Sequence, residues 1–193
     1  ATNGDRTITK TLPATAYASN TYYDMTANLN VRDYDGNHYY MWDAQQQYWY
    51  GYEWTKNLPA GTGQPTLNGN NSSNYAQSNA DPNHRWYHEG GGTARFDAIH
   101  TPCKNLPNVN EMTWYAAEGD PHWDADELWT TMGHLYQGGM WFKKKANISG
   151  FNPNTAYDGS DWRTYGNNHG YSISYTLPDA ADAGNYFYLP ALG

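Results

Sequence analysis

One stretch, Pro102 to Lys145 (PCKNLPNVNEMTWYAAEGDPHWDADELWTTMGHLYQGGMWFKKK), constrains the fold more than the rest of the chain. It packs two helix-start patterns, a strand pattern and a dense group of acids and histidines into one segment. Asn108 followed three residues later by Glu111 has the spacing of a capping box. It predicts a helix over 109–117 that Gly119 ends. Asp124 followed by Glu127 repeats the spacing and predicts a second helix to about Tyr136, stopped by Gly138 and Gly139. MWFKKKANI, 140–148, reads as a strand. Its Lys143, Lys144 and Lys145 put charge on both faces, as on a solvated or edge strand.

The core around this segment has to be built from rings. Hydrophobic residues are only 38% of the 193 residues, but aromatics are 17%, with Trp 9 and Tyr 19. Each ring buries a large area, so one full domain, or one domain with a small flanking piece, is within reach. The net charge of −8 argues against nucleic acid, which is held through basic patches. No apolar run is long enough to span a bilayer, so no transmembrane segment is expected. Cys103 is the only cysteine, so no intramolecular disulfide framework exists. Few lysines with many Asn, Gly, Tyr and Trp lean towards a secreted or surface protein.

Alternation predicts further strands at 6–12 and at 22–31, where Tyr23, Met25, Ala27, Leu29 and Val31 share a face. The run 39–54 places Tyr48, Tyr50, Tyr52 and Trp54 on one face of a strand. Residues 57–84 read as a long loop, 93–99 as a short strand, 150–171 as a second loop, and 172–177 as a strand. The apolar run Tyr186–Leu192 reads as a buried last strand, with the expectation that the natural chain continues past Gly193 or that this element is tucked into the core. Many strands, two short helices and long loops make the class α+β with a β bias.

Asp120, His122, Asp124, Asp126 and Glu127, with His134 beyond, form the densest group of possible ligands. Calcium is the cation that these oxygens suit. The spacing lacks the Gly and distal Glu of an EF-hand loop, and acids at a helix start follow from the macrodipole alone. The residues therefore predict no metal and no cofactor. A catalytic reading needs an activated nucleophile, and Cys103 with His100 three residues away is the one pair to weigh. No nucleophile elbow, P-loop or dinucleotide fingerprint occurs, so no catalytic residue is assigned. Binding is better served by aromatic residues in loops, which give contact area at low entropic cost. The candidate rings are Tyr48, Trp49, Tyr50, Tyr52 and Trp54, and the run Trp86–Tyr87–His88. Trp162 with Tyr165, Asn167, Asn168 and Tyr171 is the favoured ligand-binding patch, because Gly166 and Gly170 keep that segment in a loop.

CKNLPNVNEMTWYAAEGD resembles the core of C-type-lectin-like domains of the formylglycine-generating-enzyme type, through Leu106, Pro107, Glu111, Trp114, Tyr115 and Ala116. YFYLPALG at the end is similar to the strand of that superfamily that precedes a Gly-rich Tyr-Trp-Ser-Ser hairpin, which this sequence does not contain. DPHWDADELWTTMGHLYQGGMWFKKK resembles fimbrillin-like surface proteins of Bacteroides-type gut bacteria, and LPATAYASNTYYDMTANLNVRDYD the final strands of a fimbrillin-type sandwich. In some relatives such a domain is the target of a diversity-generating retroelement. The resemblance covers residues 12–193 and is most specific at 102–145 and 184–193. It implies a C-type-lectin-like domain over 36–193, preceded by fimbrillin-type strands over 1–35. It also implies a cell-surface or pilus protein that binds a protein or glycan ligand in adhesion without catalysis. A structural pilus subunit that polymerises with other subunits by strand exchange is the alternative. The oxidase chemistry of the formylglycine-generating enzymes needs a cysteine pair, and this chain has one cysteine.

Overall fold

The computed structural model describes residues 2–3, 6–7, 16, 18–20, 31–58, 74–87, 98–164, 172–179 and 183–191. Its elements are β1 (Thr2–Asn3), β2 (Arg6–Thr7), β3 (Arg32–Asp33), α1 (Val109–Glu118), β4 (His122–Thr131), β5 (His134–Lys143) and β6 (Tyr186–Pro190), with four single turns of 3-10 helix. β1 and β2 pair antiparallel. The other strands form one mixed sheet in the order β3–β4–β5–β6, with β3 parallel to β4 and the rest antiparallel. The fold is α+β, with one α-helix among the described residues.

The first helix forms where its capping pattern places it. The Asn108 side chain accepts from the Glu111 backbone N–H at 2.9 Å, and Glu111 returns the bond to the Asn108 N–H at 2.9 Å. Two of the four donors orphaned at a helix start are thereby satisfied. Gly119 follows as the C-cap. Tyr115 meets Phe187 edge-on at 5.3 Å and Phe151 at 5.5 Å, which sets α1 against the face of the sheet that carries Phe142 and Phe187.

The second expected helix does not form. Residues 124–136 belong to the β4–β5 hairpin, closed by Met132 and Gly133 with positive φ of 53° and 76°. Positive φ at both central residues is the mark of a type I′ turn, whose twist suits the flanking strands. Asp124 does behave as a cap, since its Oδ1 accepts from the N–H groups of Asp126 and Glu127, both at 3.0 Å. The chain then returns to the ladder instead of winding on. Asp124 pairs with Gly139 and Leu128 with Gln137, so three residues of β4 lie opposite Gly138 alone. The aspartate closes an enlarged bulge, larger than the common two-against-one kind.

The strand expected over 39–54 is also absent. That segment is a chain of tight turns: the N–H groups of Ala44, Tyr50, Tyr52 and Thr55 bond to the carbonyls of Met41, Gln47, Trp49 and Tyr52. Backbone groups satisfied three residues away need no partner strand, and Gly51 at φ 79° permits the reversal. Residues 172–177 contribute one parallel bridge, His122 to Ser174, not a strand. The last strand is found as Tyr186–Pro190, and the expected strand over 140–148 begins earlier, as part of β5. Within 6–12 only Arg6–Thr7 is described. The expected strands at 22–30 and 93–97, and loop residues 59–73, lie outside the described residues.

The core is aromatic. Trp129, fully buried on β4, stacks on Tyr136 at 4.8 Å and on Tyr39 at 6.0 Å, with Tyr34 edge-on at 5.9 Å. Beside it Tyr48, Trp49 and Met132 form a buried cluster lined by Tyr39, Met41, Tyr75 and Tyr136. The hairpin tip thus inserts its methionine into the loop region. Burial pushes the Tyr48 phenol up to about 12, so it stays protonated. No described helix is long and apolar enough to cross a membrane.

Candidate functional site

Two places combine functional side chains with a defined setting. The first gathers the acids and histidines of β4. Register puts His122, Trp141 and Tyr188 in one cross-strand row, with Asp124, Gly139 and Pro190 in the next row on the same face. Asp120, at φ 47° just before the strand, accepts the Tyr186 hydroxyl at 2.6 Å and has Lys143 Nζ at 3.8 Å. His122 Nε2 stands 3.2 Å from the same carboxylate oxygen, out of line for a hydrogen bond, while Nδ1 engages the Thr176 carbonyl. The Tyr186 hydroxyl, helped by His122 and Lys143, holds the Asp120 carboxyl below the ordinary carboxylate range, against the opposing effect of burial.

Asp124 is buried and carries a third bond, from Trp141 Nε1 at 3.0 Å. Burial and the neighbouring Asp124 push the Glu127 carboxyl up. Asp126 is exposed. His134 lies at the other end of the hairpin, where Nε2 bonds to the Thr55 carbonyl at 2.8 Å and burial lowers its pKa. The sequence cluster therefore divides. Asp120 with His122, Asp124 with Glu127, and His134 occupy separate settings, and among the described residues no three ligating groups converge on one point. The Asp120 and Asp124 carboxylates are spent on a tyrosine hydroxyl, backbone N–H groups and an indole N–H, which is structural use of their oxygens.

Cys103 is fully buried, with Sγ directed at the carbonyls of Met41 and Ala44, 3.7 and 3.9 Å away, and burial raises its pKa. His100 Nδ1 is engaged by Asp43, at 2.8 Å from its carbonyl and 3.1 Å from its carboxylate. Asp43, also fully buried, takes the N–H groups of Ile99 and His100 as well. The thiol is neither exposed nor ionised, the opposite of a reactive cysteine. Asp43 went unnoticed in the sequence, where nothing marks an aspartate as buried.

The second place is an aromatic surface on two adjoining loops. Of the candidate rings, Tyr48 and Trp49 are core and Tyr52 and Trp86 half-buried. Tyr50, Trp54 and Tyr87 are 44%, 61% and 52% exposed. The loops are held together from beneath. The Gln46 N–H bonds to the His84 carbonyl at 3.0 Å, and the Asn83 side chain lies against Gly51. Buried Arg85 makes a two-pronged ion pair with Asp81 at 2.9 and 3.0 Å, reaches the Asn74 carbonyl at 2.8 Å, and places its guanidinium 4.7 Å from the Tyr52 ring centre. Gln47, buried as well, accepts from the Trp49 N–H at 2.6 Å and donates to Glu53 at 3.0 Å. The exposed rings thus stand on a fixed base. His88 lies outside the described residues.

Of the favoured patch, Tyr165, Asn167, Asn168 and Tyr171 lie outside the described residues. Trp162 is described and is 7% exposed, so its ring belongs to the interior. Its Nε1 donates to Asp158 at 3.2 Å and its N–H to the buried Asn110 of α1 at 2.8 Å. Within 172–177 the backbone of Ser174 bonds to Pro121 and Trp123 at the sheet edge, and Ile173, Tyr175 and Leu177 are exposed. Comparisons with protein-family models, curated proteins and solved structures find no match for the chain.

Proposed function

We propose that this chain is a non-catalytic ligand-binding module of a bacterial cell surface, built on a C-type-lectin-like scaffold that follows fimbrillin-type strands and acting in adhesion. The observation that carries the reading is the set of exposed rings, Tyr50, Trp54 and Tyr87, on loops joined beneath by buried Arg85, which pairs with Asp81 in its own loop and reaches the Tyr48 carbonyl and the Tyr52 ring in the other. Large exposed rings on a rigid base give contact area without ordering cost at the moment of binding. The helix at Val109–Glu118 with Tyr115 packed on the sheet supports the scaffold reading, as does the strand at Tyr186–Pro190. The buried, proton-bearing Cys103 thiol speaks against oxidase chemistry of the formylglycine-generating type.

Beads coated with the purified chain, passed over immobilised glycans and surface proteins, are expected to be retained on at least one of them. Retention is expected to fall in Trp54→Ala. Indifference to every surface, or turnover of a substrate, would sink the reading.

A further inference from the structure

The tip of the β4–β5 hairpin is where the sheet meets the turns of the loop region, and its titratable side chain is buried. Met132 stands in the Tyr48–Trp49 cluster. Its carbonyl accepts the Asn57 N–H at 3.1 Å, and a methyl group on Gly133 would collide with the Asn57 side chain. Next along, His134 Nε2 donates to the Thr55 carbonyl at 2.8 Å. Thr55 is fully buried and ends the turn Glu53–Thr55, whose Trp54 is 61% exposed. The hairpin tip thus grips that turn through a backbone carbonyl at residue 132 and a ring nitrogen at residue 134. The backbone bond does not titrate, whereas an imidazole can change charge between about pH 5 and 8. His134 is only 3% exposed, and a second proton would place a full charge in the interior. The charged groups on the elements packed against it are turned to other tasks. On the turn, Glu53 and Lys56 are exposed, and the Glu53 carboxylate accepts from Gln47. On the hairpin, the register partner of His134 is the neutral Thr131, and Tyr136 stacks on Trp129. In the segment whose Tyr34 carbonyl accepts the Thr131 hydroxyl, Asp35 is exposed and accepts from the Asn37 N–H. Among the described residues, burial lowers the pKa of the ring and the Thr55 carbonyl raises it, and burial prevails.

We propose that His134 is an acid-sensitive latch: neutral, it fastens the Trp54 turn to the hairpin tip, and protonated, it lets the turn go. The latch is independent of the ligand-binding reading above, since it concerns how the turn is held and not what its ring touches. The bond to Thr55 survives protonation; what does not is the place of the ring in the interior. An open turn hydrates the ring, which then takes up a proton at the ordinary histidine value near pH 6.5. The closed state takes it up only at lower pH. Closure is therefore favoured above the ordinary value and loses its advantage as pH falls towards the lowered one. The Asp81 and Asp120 carboxyls are held below their own ordinary range, so their losses come at more acid pH.

Hydrogen exchange of the full purified chain at about pH 7.5 and about pH 5.5, read by mass spectrometry and corrected for intrinsic rates, tests the latch. Protection of peptides covering 52–58 and 131–136 is expected to fall several-fold at the lower pH, while α1 keeps its own. His134→Gln supplies an amide N–H donor near the Nε2 position and does not titrate, so in it the drop is expected to vanish. A drop of the same size in His134→Gln assigns the effect to other groups and overturns the latch. A drop shared equally by α1 is unfolding of the whole and overturns it too, as does unchanged protection in the unaltered chain. If the variant does not fold, an NMR titration of the His134 ring in the unaltered chain takes its place. Titration at or above the ordinary histidine value overturns the latch, and titration below it, together with the loss of protection at 52–58 and 131–136, supports it.

Discussion

The two halves of the molecule are held together by different means. The helix and the β4–β5–β6 sheet satisfy their backbone through ladders and intrahelical bonds, so each residue contributes a small, replaceable share. The region of residues 31–58, 74–87 and 98–107 has almost no regular structure. It depends on a few buried polar groups that each tie together two or more sites: Asp43 and Arg85 through backbone groups, and Gln47 through the Trp49 N–H and the Glu53 carboxylate. Stability of a ladder is distributed, whereas stability of a turn-built region is concentrated. The same concentration leaves the loop region free to display rings outward, because its backbone does not need the outer residues.

The comparison breaks most sharply at Arg85. Replacing it by Met keeps the volume but strands Asp81, whose side chain is only 5% exposed. A loss of about 3–5 kcal/mol is expected in urea unfolding. The sign with pH is a second check. Burial would raise the Asp81 carboxyl, but the Arg85 side-chain and backbone bonds outweigh it and hold the group below its ordinary value. An acid lowered in the folded state adds stability above its unfolded value, near pH 4, and loses it as pH falls through the lowered value. The deficit of Arg85→Met should therefore be largest at neutral pH and shrink under acid. A deficit independent of pH would mean that packing, not the ion pair, holds the loops.

Asn110 is the point where the regular half adopts the method of the other. Fully buried on α1, it donates to Asp161 at 2.9 Å and accepts from the Trp162 N–H. Asn110→Ala should cost about 1–3 kcal/mol and speed hydrogen exchange at Trp162, with the β4–β5 ladder unaffected. Exchange rising equally in the ladder would show the two parts to be one cooperative unit.

Asn108→Ala removes the cap and is expected to cost about 1 kcal/mol by thermal melting, a distributed-half effect several times smaller than that of Arg85. Smallest is Glu127→Gln. Burial and Asp124 raise this carboxyl, so the folded state binds its proton more tightly than the unfolded one, and stability from this group declines as pH rises past the ordinary range. The amide should raise Tm at pH 7 by about 1–2 °C and have no effect at pH 3. A lower Tm at pH 7 would reveal a favourable partner for the charge.

The sequence by itself determined what is local. Asn108 and Glu111 lie three apart, and their mutual bonds form within one helical turn, so α1 was legible with its end at Gly119. The apolar run at 186–190 was legible as a strand because its length and ring content fit no other element. The tertiary structure decided the rest. Asp124 makes the same two bonds to the N–H groups two and three residues on that a helix cap makes, so its spacing pointed to a helix. Whether the chain then coils or stays extended depended on the Met132–Gly133 turn bringing β5 alongside, a contact between residues up to 19 apart, as in His122 with Trp141. In the same way the alternation of 48–54 looked like a strand, yet no partner strand pairs with it among the described residues, and bonds three residues apart took its backbone. Burial of Trp49 and exposure of Trp54 followed from that folding, since identical side chains carry no sign of which way a turn will point them.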